Sequence, residues 1–203
     1  MRCLQGRATV SEESADFAVA GLSVSDLQAM FPAPDARQAE RVLLIPVSGT
    51  SMEPTLHPGE QVEVLVPARR TGFGDILLIR HREIFFLHRL VGRKGGALRT
   101  KGDGRAHFDG WLSRPEEVEG CLLQVRRGGR ARAFRGGAAR PLGWLAGVWS
   151  ALCGHLYRLA LRLDREIGGG TGNDFRDDAV RLNWAGFLLI EAIASLLAPR
   201  PAA

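Results

Sequence analysis

Apolar residues fall in short runs through the middle of the chain, and the period changes near Pro141. Val42-Leu43-Leu44-Ile45 is a continuous apolar run and predicts a short buried strand. Val62-Glu63-Val64-Leu65-Val66 alternates and stops at Pro67. Ile76–Arg80 and Ile84–Val91 read as two strands, joined by a hairpin turn at His81-Arg82-Glu83. Leu122–Arg127, the turn Gly128-Gly129 and Arg130–Phe134 read as a closing hairpin. Residues 42–135 are therefore expected to form one mainly β domain.

Beyond Pro141 the spacing becomes helical. Leu145, Val148, Trp149, Leu152, Leu156, Leu159 and Leu163 make one helical face. Arg158, Arg162 and Arg165 crowd the end of that helix, where cations suit its dipole. Gly168-Gly169-Gly170 breaks it, and Asn173–Asp178 reads as a polar loop. A second apolar segment, Leu182–Leu197, is about sixteen residues long and is interrupted by Glu191, which leaves it short of a bilayer crossing. Two helices are expected over 141–198, either packed into the protein and on each other or lying on a membrane surface. Packing is the favoured reading. Trp144, Trp149 and Trp184 near the helix starts keep peripheral membrane contact open. The expected fold is a mainly β domain with an α-helical C-terminal extension, α+β overall, preceded by an extension over 1–41.

The 203-residue length fits one domain with extensions, and 45% hydrophobic residues suffice for a core. The net charge is +5 and the pI about 9.8. The arginines of the closing hairpin make a basic face. No aromatic platform interleaves them, so nucleic acid is not an expected partner. Cys3, Cys121 and Cys153 have no metal-ligand spacing, and their odd number argues against a disulfide framework and for a reducing compartment. Near the N-terminus, Arg2 and Arg7 are followed by Ser11-Glu12-Glu13-Ser14 where a signal peptide needs its apolar core. Residues 1–41 hold no run of about eighteen apolar residues either. A short helix is expected at Ser25–Phe31, stopped by Pro32. The expected location is cytoplasmic, with any membrane attachment peripheral and supplied by the segment after Pro141.

The candidate chemistry starts where the first strand ends. Pro46-Val47-Ser48-Gly49-Thr50-Ser51-Met52-Glu53-Pro54-Thr55-Leu56 is a small-residue turn directly after a strand. Such a turn can hold a hydroxyl nucleophile on a rigid base, and its consecutive N–H groups can hold an oxyanion. A serine needs a base. His88 lies on the strand Ile84–Val91 and can serve as one. Thr100-Lys101-Gly102-Asp103 and Asp109 bring two carboxylates in a Gly-rich loop. These can orient a histidine, bind a cation or cap turns.

Ser51-Met52-Glu53-Pro54-Thr55-Leu56, Gly74-Asp75-Ile76, His88-Arg89-Leu90 and Thr100-Lys101-Gly102-Asp103 with Asp109 together resemble the S24/S26 serine peptidases. That family includes the signal peptidases and the LexA-type self-cleaving repressors, and the resemblance spans Val42 to Phe134. Its housekeeping signal peptidases and LexA-type members use a lysine base. Here His88 stands in that place, and the only lysines are Lys94 and Lys101. His followed by Arg resembles the endoplasmic-reticulum and archaeal type of signal peptidase. That resemblance implies a triad of Ser51, His88 and Asp109, with Asp103 second choice as the orienting carboxylate and otherwise a loop-shaping residue. The approach to the nucleophile is one residue longer than in the housekeeping enzymes. Their side-chain oxyanion donor would fall at Gly49, so the expected oxyanion hole is the backbone N–H of Thr50 and Ser51, with Ser48 a doubtful helper. Gly59-Glu60 stands where the family has Gly-Asp.

The implied function is a serine endopeptidase that takes a peptide or precursor protein as an extended strand and cuts next to small residues, with no metal or cofactor. Two rivals stay open: a non-catalytic peptide-binding module of the same fold, and a LexA-like regulator that cuts only itself. Ala18-Val19-Ala20-Gly21 resembles a cleavage site for the latter, though an ordinary alanine-rich stretch is the favoured reading.

Overall fold

The computed structural model describes residues 39–82, 84–127, 130–137, 139–167 and 172–197. The expected helix at Ser25–Phe31 and the stretch Ala18-Val19-Ala20-Gly21 lie outside the described residues. So do Glu83, Gly128, Gly129 and the three glycines 168–170.

Among the described residues seven antiparallel strands form one sheet: β1 (Arg41–Pro46), β2 (Gln61–Val66), β3 (Ile76–His81), β4 (Ile84–Lys94), β5 (Ala97–Lys101), β6 (Val118–Arg127) and β7 (Arg130–Ala133). Their order is β1-β2-β6-β3-β4-β5, and β7 pairs with β6. The long β6 is shared. Its Val118–Cys121 part lies against β3, and its Gln124–Arg127 part lies against β7. The β3–β4 hairpin places Leu77 opposite His88 and Ile79 opposite Phe86. All the strands expected from the hydrophobic pattern are present.

Side chains alternate across the sheet, and both faces of its centre are covered. Ile45, Val62, Val64, Ile76, Leu78, Phe85, Leu87 and Leu122 share one core with Met52 and Leu56 of the turn after β1. Leu77, Ile79, Phe86, Leu90, Leu98 and Cys121 build a second, with Trp111 packed on it. His88 belongs by alternation to the second face, and its ring meets Phe86 edge-on at 4.9 Å.

The expectation of a buried first strand needs correction. Among the described residues β1 is an edge strand that pairs only with β2. Ile45 faces the core, but Val42 is 52% and Leu44 47% exposed. Four apolar residues in a row read as two-sided burial, whereas the edge position covers one face.

Two helices follow: α1 (Ala139–Ile167) and α2 (Gly172–Leu197). The polar stretch Asn173–Asp178 is helical, not a loop. It contains no proline, and acidic residues suit the first turns of a helix. The longer helix also changes the membrane arithmetic. Asp178–Leu196 is long and apolar enough to cross a bilayer by length and composition, where Leu182–Leu197 alone fell short.

The helices pack on each other through Ala146, Phe187 and Ile190, with Trp149 beside them. A Cβ on Gly186 would lie 2.0 Å from the Trp149 ring, so only glycine allows this approach. Glu191, the charge inside the apolar segment, is paired with Arg132 on β7. The helices thus pack on each other, the favoured expectation, and Trp149 of the α1 stripe lies at that contact; the rest of the stripe does not enter the core. Leu145, Val148, Leu152, Leu156, Leu159 and Leu163 all face outward. The buried face of α1 carries Ala146, Ser150, Cys153 and Tyr157 instead. Small and polar residues meet the domain because the backbones come close there.

The arginines of the β6–β7 hairpin are partly neutralised. Arg126 pairs with Glu63, and Arg127 with Glu60. Cys121 and Cys153 are free and buried.

Candidate active site

The turn after β1 is fixed at both ends. The Val47 N–H donates to Glu60 O, and the Gly59 N–H donates to Val47 O, each at 2.8 Å. Inside it, Leu56 N–H bonds to Met52 O and Glu53 N–H to Thr50 O, both at 3.0 Å. Met52 and Leu56 drop into the core on either side of this tight turn. Ser51 thus stands on a base anchored by two core residues, with its own residue 9% exposed. That is the rigid support a positioned nucleophile needs.

His88 Nε2 lies 3.1 Å from Ser51 Oγ. His88 Nδ1 lies 2.8 Å from Asp109 Oδ2. The two contacts use opposite nitrogens of one ring, so a proton on Nδ1 leaves Nε2 free to accept from the serine. Asp109 is itself held to the end of β5. Its N–H donates to Thr100 O at 3.0 Å, and Thr100 Oγ1 donates to the same carboxylate oxygen at 2.5 Å. Burial pushes the Asp109 carboxyl up, but the neighbouring His88, its hydrogen bond and the Thr100 hydroxyl outweigh this and hold the pKa below the ordinary value. Asp109 is therefore an anion at neutral pH, suited to orient an imidazole and to balance its charge.

The Gly-rich loop after β5 closes over Ser51. Gly104 N–H donates to Ser51 O at 2.8 Å. A Cβ on Gly102 would lie 2.4 Å from Ser51 O and 3.1 Å from His88 Nε2. No side chain fits there without displacing Ser51 or His88.

Asp103 does not orient His88. It takes two hydrogen bonds from Arg89, Nε to Oδ1 at 2.8 Å and Nη2 to Oδ2 at 2.5 Å. It also accepts from Thr55 Oγ1 at 2.7 Å. Arg89 Nη1 donates to Gly74 O at 2.7 Å. This buried ion pair joins all four sequence blocks: the turn holding Ser51, the Gly74 turn, the His88-Arg89-Leu90 strand and the loop after β5. Asp103 is a positioning residue, the loop-shaping role that stood as its alternative.

Lys101 is also buried, and its partners come from the helices. Nζ donates to Asn183 Oδ1 at 3.0 Å, to Ser150 Oγ at 3.2 Å and to Gly102 O at 3.3 Å. Asn183 Nδ2 in turn donates to Asp103 O at 2.5 Å. Burial pulls the Lys101 pKa down to about 8, against the raising influence of Asp103. The ammonium stays charged at neutral pH and serves as a strut between the loop after β5 and the helices.

The N–H groups of Thr50 and Ser51 donate to no carbonyl among the described residues, which leaves them available to an oxyanion. Ser48 Oγ is buried with no partner among the described residues. No cluster of His, Cys, Asp and Glu suited to a metal occurs among the described residues.

Reading the sequence assigned no role to Thr55 or Thr100 within their blocks and missed Ser150 and Asn183. Asn183 alone carried a signal, as the amide inside an otherwise apolar helix. Thr55 and Ser150 are hydroxyl residues whose partners lie far along the chain, and Thr100 meets Asp109 across the loop after β5.

Comparison with protein-family models, with curated proteins and with solved structures finds no match.

Proposed function

We propose that the chain is a serine endopeptidase of the S24/S26 kind, with a histidine base as in the endoplasmic-reticulum and archaeal signal peptidases. One observation carries the reading: Ser51, His88 and Asp109 come from three separate segments and meet as a hydrogen-bonded relay at 3.1 and 2.8 Å. Buried polar side chains meet in many folds. A hydroxyl, an imidazole and a carboxylate in series, with the hydroxyl on a rigid turn, is the arrangement acyl transfer requires.

In this reading Ser51 Oγ attacks the scissile carbonyl carbon while His88 Nε2 takes its proton. Asp109 keeps the Nδ1–H in place and stabilises the imidazolium. The Thr50 and Ser51 N–H groups receive the negative oxygen of the tetrahedral intermediate. As that intermediate collapses, His88 returns the proton to the leaving amine, and an acyl-Ser51 remains. Water, deprotonated by the same nitrogen, attacks the ester and releases the acid. The preference for small residues beside the cut, and for an extended peptide or precursor protein as substrate, rests on the family resemblance.

The test is cleavage of a mixture of unstructured peptides carrying Ala, Gly or Ser at varied positions. The wild-type chain should create new termini next to small residues, and Ser51→Ala should create none. A wild-type chain that leaves every peptide and itself intact, while still binding them, moves the binding-module reading ahead.

A further inference from the structure

We infer that the C-terminal helical hairpin is a docking surface for an anionic lipid membrane, and that α1 lies flat in the plane of its headgroups. The inference rests on the outer surface of the hairpin and not on the peptidase chemistry.

The stripe on α1 advances by about 3.6 residues per turn from Leu145 to Leu163, so it stays straight along one side of the helix. Apart from Trp149, which packs at the contact with α2, its six residues are between 37% and 51% exposed. Trp144 at its start is 57% exposed. A continuous apolar strip of this length is unusual on a surface that meets only water. Charge then distinguishes between occupants. From Ala139 to Leu163 the helix has no acidic residue. Arg140, Arg158, Arg162 and Arg165 all lie on one side of the stripe, roughly 80–140° round the helix from its centre. The opposite flank is the face buried against the protein, at Ala146, Ser150, Cys153 and Tyr157. Arg158 is held over the Phe108 ring of the domain, at 4.5 Å from its centroid, while Arg140, Arg162 and Arg165 are exposed. An apolar stripe with tryptophan at one end and exposed arginines toward both ends of its flank matches the boundary between acyl chains and anionic headgroups. A second copy of this chain is the poorer fit. Pairing two such stripes brings two arginine flanks together, and α1 has no carboxylate before Asp164 to offset them.

The second helix extends the same surface. Between Leu182 and Leu197 its only ionisable residue is Glu191, which is turned inward onto Arg132. Leu182, Leu188, Leu189 and Leu196 are exposed. This helix has the length and composition to span, yet its inner face is committed to the domain. Asn183 holds Lys101 and the Asp103 carbonyl, and Phe187 is fully buried. Crossing a bilayer would strip these contacts and carry Glu191 into hydrocarbon. Lying against the headgroups keeps them all.

Flotation of the full chain with vesicles tests this. Phosphatidylcholine vesicles with and without phosphatidylglycerol are compared, at low and high salt. The wild-type chain should float with the anionic vesicles, more weakly at high salt, and be released by carbonate. Leu156→Glu with Leu159→Glu, at exposed positions, should weaken binding by on the order of a hundredfold while melting as cooperatively as wild type. Arg162→Gln with Arg165→Gln should weaken it by on the order of tenfold or more, on anionic vesicles only. Failure to float with anionic vesicles overturns the proposal. So does retention after carbonate, which would mean a spanning helix, and so does a soluble dimer that the leucine substitutions dissociate. Peptide cleavage is read separately on the same preparations, so loss of the peptidase reading leaves this result standing.

Discussion

At the scale of single residues, the two aspartates separate by role. Asp109→Asn keeps the size of the side chain but offers Nδ1 the wrong partner for the required tautomer. Its kcat should fall by about a hundredfold to ten-thousandfold, with little change in thermal midpoint. Asp103→Asn should behave in the opposite sense. It strips the charge partner from the buried Arg89 and should cost on the order of 3–5 kcal/mol of stability. Parallel melting and cleavage assays on the two variants check the pair. His88→Ala should lower kcat by at least about a thousandfold. Lys94→Ala should leave it unchanged, since that exposed lysine lies at the far end of β4. Ser51, His88 and Asp109 were legible because each sits in a short block with its own character. The choice between Asp109 and Asp103 was not settled by residue type, since both follow glycine-containing turns. It was settled by the path of the chain back to Thr100. Arg89 was visible beside His88, but its bond to Asp103 depends on how β4 and the loop approach each other.

At the scale of elements, Lys101 is the joint between the sheet and the helices. Lys101→Met should leave Ser150 and Asn183 without their partner and cost about 1–3 kcal/mol. The pH dependence gives a more specific signature. Between about pH 8 and the ordinary lysine value of 10.5, the unfolded chain holds a proton that the folded chain has released. The contribution of this group to stability therefore rises with pH across that window. The deficit of Lys101→Met relative to wild type should widen over the same window, and thermal midpoints taken from pH 7 to 10 check it. Strands were legible from alternation and turn residues. The edge position of β1 was not, because four apolar residues in a row look the same whether one face or both are covered. The start of α2 was missed because a polar, acidic first turn resembles a loop when read without its dipole.

At the scale of the whole molecule, the helices and the sheet form one connected body. Residues 42–135 and 141–198 read as a domain and an extension, but Ser150 and Asn183 reach Lys101, and Glu191 reaches β7. Differential scanning calorimetry should accordingly show one transition for the full chain, and two well-separated transitions would mean that the hairpin is an independent unit. The outward direction of the α1 stripe was hidden for a related reason. Periodicity identifies an apolar face but does not say what covers it, and here the small residues on the other face allow the closer approach to the domain.

The central claim is that Ser51 is a nucleophile made reactive by His88. Its most direct measurement is reaction of the full chain with a fluorophosphonate, followed by intact mass and mapping of the adduct. The account predicts one adduct, on Ser51, formed at a rate that His88→Ala lowers by at least about a hundredfold and Asp103→Asn, where still folded, lowers far less. No adduct on the folded wild-type chain, or an adduct on Ser51 formed equally fast without His88, would contradict it.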